Sequence, residues 1–186
     1  MISVSLVAIG ADTEAQTDET SFAPDAQHPF GRMNPAAPPE TAQFAFMIGN
    51  NDCTEERRNS SGEWTKGTRS WDAYYDMNGF AIRDGGSSGK ASNANIRAYD
   101  VKEKQWHVTF FSMPTYSSGL WKGGKKGDKI VLKQPQKAPN GMDGSSRLTF
   151  FNMTDEGFDW IGEWVSENGS IVYPFWKISC QKSGRK

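Results

Sequence analysis

Histidine and cysteine are nearly missing from this chain, with two of each among 186 residues. That supply is too small for a zinc ribbon, an iron–sulfur cluster or a multi-disulfide scaffold, and most metal chemistry goes with it. Charge of one sign is lacking as well. The 21 Lys and Arg residues face 22 Asp and Glu, a net charge of -1, so no global field gathers nucleic acid or an anionic membrane. No apolar run reaches the ~20 residues that a membrane-spanning helix needs. These gaps predict neither metal nor cofactor, neither nucleic-acid partner nor membrane span. What the sequence does have is aromatic rings, 12% of residues including seven Trp, in a length that suits one domain.

Residues 1–40 differ from the rest. They hold one base (Arg32) against six acids (Asp12, Glu14, Asp18, Glu19, Asp25, Glu40), and five of the nine prolines (Pro24, Pro29, Pro35, Pro38, Pro39). With no sustained apolar period, the stretch reads as a flexible, disordered N-terminal leader that cannot offset its ordering entropy. Within it Ile2 to Ala11 is a short apolar run ending in small residues, as at the tail of a secretory signal peptide, although nothing basic precedes it. Asn-x-Ser/Thr sequons at Asn59, Asn152 and Asn168 fall near predicted turns and matter only if the host glycosylates exported chains.

Residues 41–186 are the folded domain. From Phe44 onward, short runs rich in Trp, Phe, Tyr, Ile and Val alternate with Gly, Asn, Asp and Ser at intervals of about 8 to 14 residues, the signature of an antiparallel all-β domain. Ten strands are expected, near 46–57, 63–77, 80–84, 94–100, 105–112, 118–123, 128–134, 145–153, 158–165 and 171–180. Connections such as Asn78-Gly79 and Glu167-Asn168-Gly169 supply the positive φ that tight hairpins require.

Alternation assigns faces in part. Trp71, Ala73, Tyr75 and Met77 share one parity and should point inward, as should Ile130 with Leu132, and Phe158 with Trp160 and Trp164. Strands near 105–112, 145–153 and 171–180 are apolar on both parities, which leaves their inward face open. Ten sequential antiparallel strands are too many for a flat open sheet. Closure into an up-and-down barrel removes the free edges and leaves a hollow suited to an apolar molecule.

Several segments carry a resemblance. Phe44-Ala45-Phe46-Met47-Ile48-Gly49-Asn50, Gly79-Phe80-Ala81-Ile82-Arg83-Asp84, Asn95-Ile96-Arg97-Ala98-Tyr99-Asp100 followed by Trp106, and Phe158-Asp159-Trp160 leading to Ser166-Glu167-Asn168-Gly169 are similar to a bacterial lipocalin-like (calycin-type) family. That family is known only as a domain of unknown function, the fifteen-seventy-nine type. The similarity spans about 44–180. It implies the barrel, and it brings no activity. Where relatives usually place Trp after the Ile-Gly step, this chain has Asn50-Asn51, which bears on the packing at the barrel entrance.

Candidate site residues follow from parity and chemistry. Arg69 shares the parity of Trp71 and Tyr75, and an inward guanidinium demands a partner, either a ligand carboxylate or an internal Asp or Glu. Arg97 and Arg147 raise the same question from their own strands. Trp71, Tyr75, Tyr99, Phe110, Trp121 and Trp160 are core residues taken singly, while as a group they suggest a shaped apolar cavity. His107 lies in a predicted strand and not near the C-terminal end, where haem-binding lipocalin-like barrels place their ligand. Cys53 and Cys180 fall in the first and last strands, neighbours once the barrel closes, so a disulfide is geometrically feasible and would favour export over a cytoplasmic location. Asp84 to Lys90 lacks the spacing and the following helix of a phosphate loop, and no hydrolase triad is recognisable. The lysines around Gly123-Gly124 read as a solvated turn. The leading expectation is a barrel that encloses a small, apolar or amphipathic ligand without catalysis. A lyase, isomerase or cyclase working inside the cavity, and a protein-interaction module with a filled barrel, are the alternatives.

Overall fold

The computed structural model describes residues 21–184. The apolar run Ile2 to Ala11 lies outside them. Ten antiparallel strands follow a single 3-10 helix, η1 (Pro39–Met47): β1 (Gly49–Arg58), β2 (Trp64–Asp76), β3 (Ala81–Ser88), β4 (Ala91–Asp100), β5 (Gln105–Met113), β6 (Ser117–Lys126), β7 (Lys129–Pro135), β8 (Gly144–Phe151), β9 (Gly157–Ser166) and β10 (Val172–Lys182). Each strand pairs with its sequence neighbour, and β1 pairs with β10, so the sheet closes as an up-and-down barrel. All-β closure is therefore what the alternating pattern and turn residues produce.

The seam is tied covalently. Cys53 and Cys180 stand opposite each other in the β1–β10 register and form a disulfide. The inward parity of β1 (Asn51, Cys53) and of β10 (Ile178, Cys180) buries all four side chains. The three strands left open by pattern are resolved by burial: Trp106 and Val108 face in from β5, Ser146 and Phe150 from β8, Ile178 and Cys180 from β10. Their outer faces carry apolar groups too, such as Phe111 at 52% exposure, which is why alternation alone could not decide. In β10 the register also shifts between Pro174 and Trp176, and a bulge of this kind breaks any strict period of two.

Three expectations need correction. The segment at 46–47 does not open the first strand. It ends η1, which begins at Pro39, where a missing N–H costs nothing. Phe44 and Met47 are fully buried at one end of the barrel, with the Phe44 ring edge-on to Trp106 at 4.7 Å and to Phe150 at 5.5 Å. Met77 does not face in. It sits at φ 50° in the β2–β3 turn and is exposed. Residues 85–90 are barrel wall for the most part, since β3 runs to Ser88 and β4 starts at Ala91.

The segment expected to be flexible is held down from Ser21 onward. Phe22 N–H donates to Asn78 Oδ1 at 2.8 Å, Tyr75 N–H to the Phe30 carbonyl at 2.8 Å, and Asn34 N–H to the Gly79 carbonyl at 3.1 Å. Gly79, at φ 82°, is required there, because a Cβ would meet the Arg32 carbonyl oxygen at 2.4 Å. Composition signalled disorder, but these backbone groups find partners on the β2–β3 hairpin.

Asn51 is fully buried beneath η1. Its amide donates to the carbonyls of Met47, Gly49 and Trp71 at 2.9, 3.2 and 2.8 Å. It joins the helix end to two strands.

Candidate functional site

With η1 closing one end, the space beyond the aromatic floor stays open. A cavity of about 340 Å³ lies there, within the size range of small-molecule pockets. Its walls are Trp71 from β2, Phe110 from β5, Trp121 from β6, Trp160 from β9, and Trp176 and Ile178 from β10. The Trp160 and Trp176 rings meet edge to face at 5.0 Å, and both Phe110 and Trp121 remain partly open.

Two buried polar clusters sit in this wall. The deeper one centres on Asp84, which shares the inward parity of Ile82 in β3 and is 1% exposed. Its Oδ1 accepts from Trp71 Nε1 at 2.8 Å, Asn95 Nδ2 at 2.7 Å and Arg97 Nη2 at 3.1 Å, and its Oδ2 accepts from Arg97 Nε. Arg97 also lies over the Phe44 ring at 4.8 Å and the Phe150 ring at 5.4 Å, so its cation faces aromatic clouds. Both carboxylate oxygens of Asp84 are engaged.

The outer cluster centres on Glu55, inward from β1 with Cys53. It accepts from the Ser88 hydroxyl at 2.6 Å, Trp176 Nε1 at 3.0 Å and Arg57 Nε at 3.1 Å. Arg69 Nη1 stands farther off, 3.7 Å from Glu55 Oε2, and its Nη2 donates to the neutral Asn93 Oδ1 at 2.6 Å. Burial raises the Glu55 carboxyl, but the Ser88 bond, Arg57 and Arg69 outweigh it and leave the group below its ordinary value. Burial lowers the Arg69 guanidinium, opposed by Glu55 and reinforced by Arg57. Gly86 makes the space for Arg69, since a Cβ there would stand 2.8 Å from Arg69 Nη2 and 2.1 Å from the Ser70 carbonyl oxygen.

Of the nine ligand-site residues expected from sequence, six line this cavity: Arg69, Trp71, Arg97, Phe110, Trp121 and Trp160. Three lie elsewhere. Tyr75 is half-buried toward the η1 end of β2 and packs on the core. Tyr99 packs edge-on to Trp106 at 5.7 Å, where burial and the Glu40 carboxylate push its hydroxyl up. Arg147 has the parity opposite to the buried Ser146 and pairs on the outer face with Glu163 at 2.8 Å, its direct cross-strand partner. Glu55, Asp84, Asn93, Asn95, Gly86 and Trp176 belong to the site and were not singled out. For Asp84 and Glu55 a signal existed, because each continues an inward parity (Ile82, Asp84; Asn51, Cys53, Glu55).

His107 is half-buried on the outer side of β5, 3.0 Å from Glu103 Oε2. Asp100, Glu103 and His107 place ligating atoms within 4.8 Å of one another. The Lys122 ammonium already sits 2.8 Å from that Glu103 oxygen, and bonds from Lys122, Gln105 and His107 hold the Glu103 carboxyl down at about 2. A local cation thus occupies the charge of that corner.

No family model matches the chain, and no curated protein matches it. No helix among the described residues is long and apolar enough to cross a membrane.

Proposed function

We propose that this protein is a carrier or sensor that binds a small, largely apolar molecule inside its barrel. The observation behind this reading is the cavity of about 340 Å³, walled by aromatic rings and supplied with a few convergent polar groups, the usual makeup of a small-molecule site. A cavity that the chain does not fill with its own side chains counts against a purely structural barrel serving as an interaction module. We further propose membership of the lipocalin-like family that the sequence resembles, supported by the closed barrel. Export from the cytoplasm is proposed as well, on the strength of the Cys53–Cys180 bond, which persists best in an oxidising compartment.

Native mass spectrometry after gentle purification, followed by titration with environment-sensitive aromatic and fatty-acid fluorophores, tests the binding reading. Co-purification or saturable uptake is expected, with loss on Trp121→Asp, which would remove a ring and place an anion in the wall. A protein that neither carries nor takes up any apolar molecule refutes it.

A further inference from the structure

The polar lining of the cavity is one-sided. Arg57, Arg69 and Arg97 line it, and among the described residues no carboxylate does. The carboxylates stand behind the wall: Asp84 is bonded to Arg97 through both of its oxygens, and Glu55 gives its closest ion-pair contact, 3.1 Å, to Arg57. Three cations against two anions leave one positive charge over. Arg69 holds the weakest claim on a carboxylate, 3.7 Å from Glu55, although its side chain is only 4% exposed.

Arg69 Nε and Arg97 Nη1 are buried donors without a partner among the described residues. A buried, unsatisfied guanidinium N–H is costly. Guanidinium groups have no acceptor of their own, so a polar partner that meets this arginine-lined wall must bring one. Asn93 and Asn95 stand on the same face of β4 as Arg97, and Asn93 bonds Arg69 while Asn95 bonds Asp84. This row fixes both guanidinium groups along one wall.

Resting on the binding reading above, we infer that the ligand is an organic monocarboxylate with a flat aromatic body, its carboxylate held by Arg69 and its rings lying among Trp71, Phe110, Trp121 and Trp160. The surplus of one charge fits a monoanion better than a phosphate monoester, which carries about −1.5 to −2 at neutral pH. Arg supplies the planar fork of donors that a carboxylate matches.

The test uses four probes that share one body: naphthoate, naphthamide, naphthylmethylamine and naphthyl phosphate, titrated calorimetrically into the wild-type protein at neutral pH and fixed salt. Naphthoate is expected to bind about tenfold or more tightly than naphthamide, as for a charge-assisted bond in a buried site. Naphthylmethylamine should bind weakest. In Arg69→Gln, naphthoate is expected to fall to within about twofold of naphthamide while naphthamide itself hardly changes. Equal affinities for naphthoate and naphthamide overturn the inference and leave the cavity standing as a neutral binding site. Tighter binding of naphthyl phosphate than of naphthoate overturns the assignment to a carboxylate. Uptake of none of the four overturns both the inference and the binding reading. Should Arg69→Gln fail to fold, the comparison of probes on the wild-type protein decides alone.

Discussion

Replacing Cys53 and Cys180 together by alanine removes the one covalent bond across the β1–β10 seam. The bond joins residues 127 apart in sequence, with Cα atoms 4.1 Å apart. Closing a loop of that length takes about 5 kcal/mol of conformational freedom from the unfolded chain at room temperature on the chain-entropy account. Domains as a rule have only about 5–15 kcal/mol in total, so this single change removes a large share. The native barrel itself should persist, because the β1–β10 ladder still pairs from Asn51 with Lys182 to Arg57 with Trp176. Urea unfolding of the double variant should therefore show native circular dichroism at zero denaturant, a stability lower by about 5 kcal/mol, and a steeper denaturant slope as the freed unfolded chain exposes more surface. The melting temperature should drop by about 10–20 °C. Wild-type protein in excess reductant should behave like the variant. A loss below about 1 kcal/mol with an unchanged slope would refute the reasoning, since it would mean that the unfolded chain gains little from being opened.

Phe44→Ala should cost about 3–5 kcal/mol, because the ring is fully buried and fills the space between Trp106 and Phe150; chemical denaturation measures it. Arg97→Met alone should cost about 3–5 kcal/mol by leaving Asp84 buried without its cation, whereas adding Asp84→Leu should recover only part of that loss, because the Trp71 and Asn95 donors are then left without their acceptor; urea unfolding measures both. The Glu55 carboxyl lies below its ordinary value of 4.5, so it binds protons less readily folded than unfolded; its stabilisation is present above 4.5 and fades as pH falls through the folded value. Melting temperatures across acid pH should therefore fall less steeply in Glu55→Gln than in wild type, and parallel curves would count against the network. Gly86→Ala should weaken uptake of naphthoate and cost about 1–3 kcal/mol, because its Cβ has no room beside Arg69 Nη2 and the Ser70 carbonyl; unchanged values in calorimetry and unfolding would place Arg69 elsewhere.

The architecture was legible where side chains alternate and turns are marked. Trp71 and Ala73, Ile130 and Leu132, Phe158 and Trp160 are all buried as their parity requires, and Asn78-Gly79 does form a turn, at φ 54° and 82°. Legibility ended where tertiary contacts override local composition. Pro39 to Met47 contains Phe46 and Met47, which look like the start of a strand. It becomes a helix because the barrel end needs a plug, and Asn51 supplies the amide bonds that anchor it. The proline-rich stretch from Ser21 was unreadable for the same reason, since its partners lie on a hairpin more than forty residues away.

The site shows a sharper division. Aromatic walls follow from parity, and Arg69 was visible as an inward charge, but the meaning of that charge depends on which carboxylates reach it. Asp84 ends the strand expected over 80–84 on the inward parity of Ile82, and the continuation of β3 through Gly85 and Gly86 makes it a mid-strand residue under Trp71 and beside Arg97. Once both buried acids are located, the arithmetic of the wall changes from three candidate anchors to one: Arg97 is committed to Asp84, Arg147 to Glu163 outside, and Arg69 is left facing the hollow with a neutral amide as its closest bond. A barrel needing stability alone would do as well with apolar side chains at these positions. On the binding reading proposed above, guanidinium groups held in place by their own buried acids are what a site preorganised for an incoming acceptor requires.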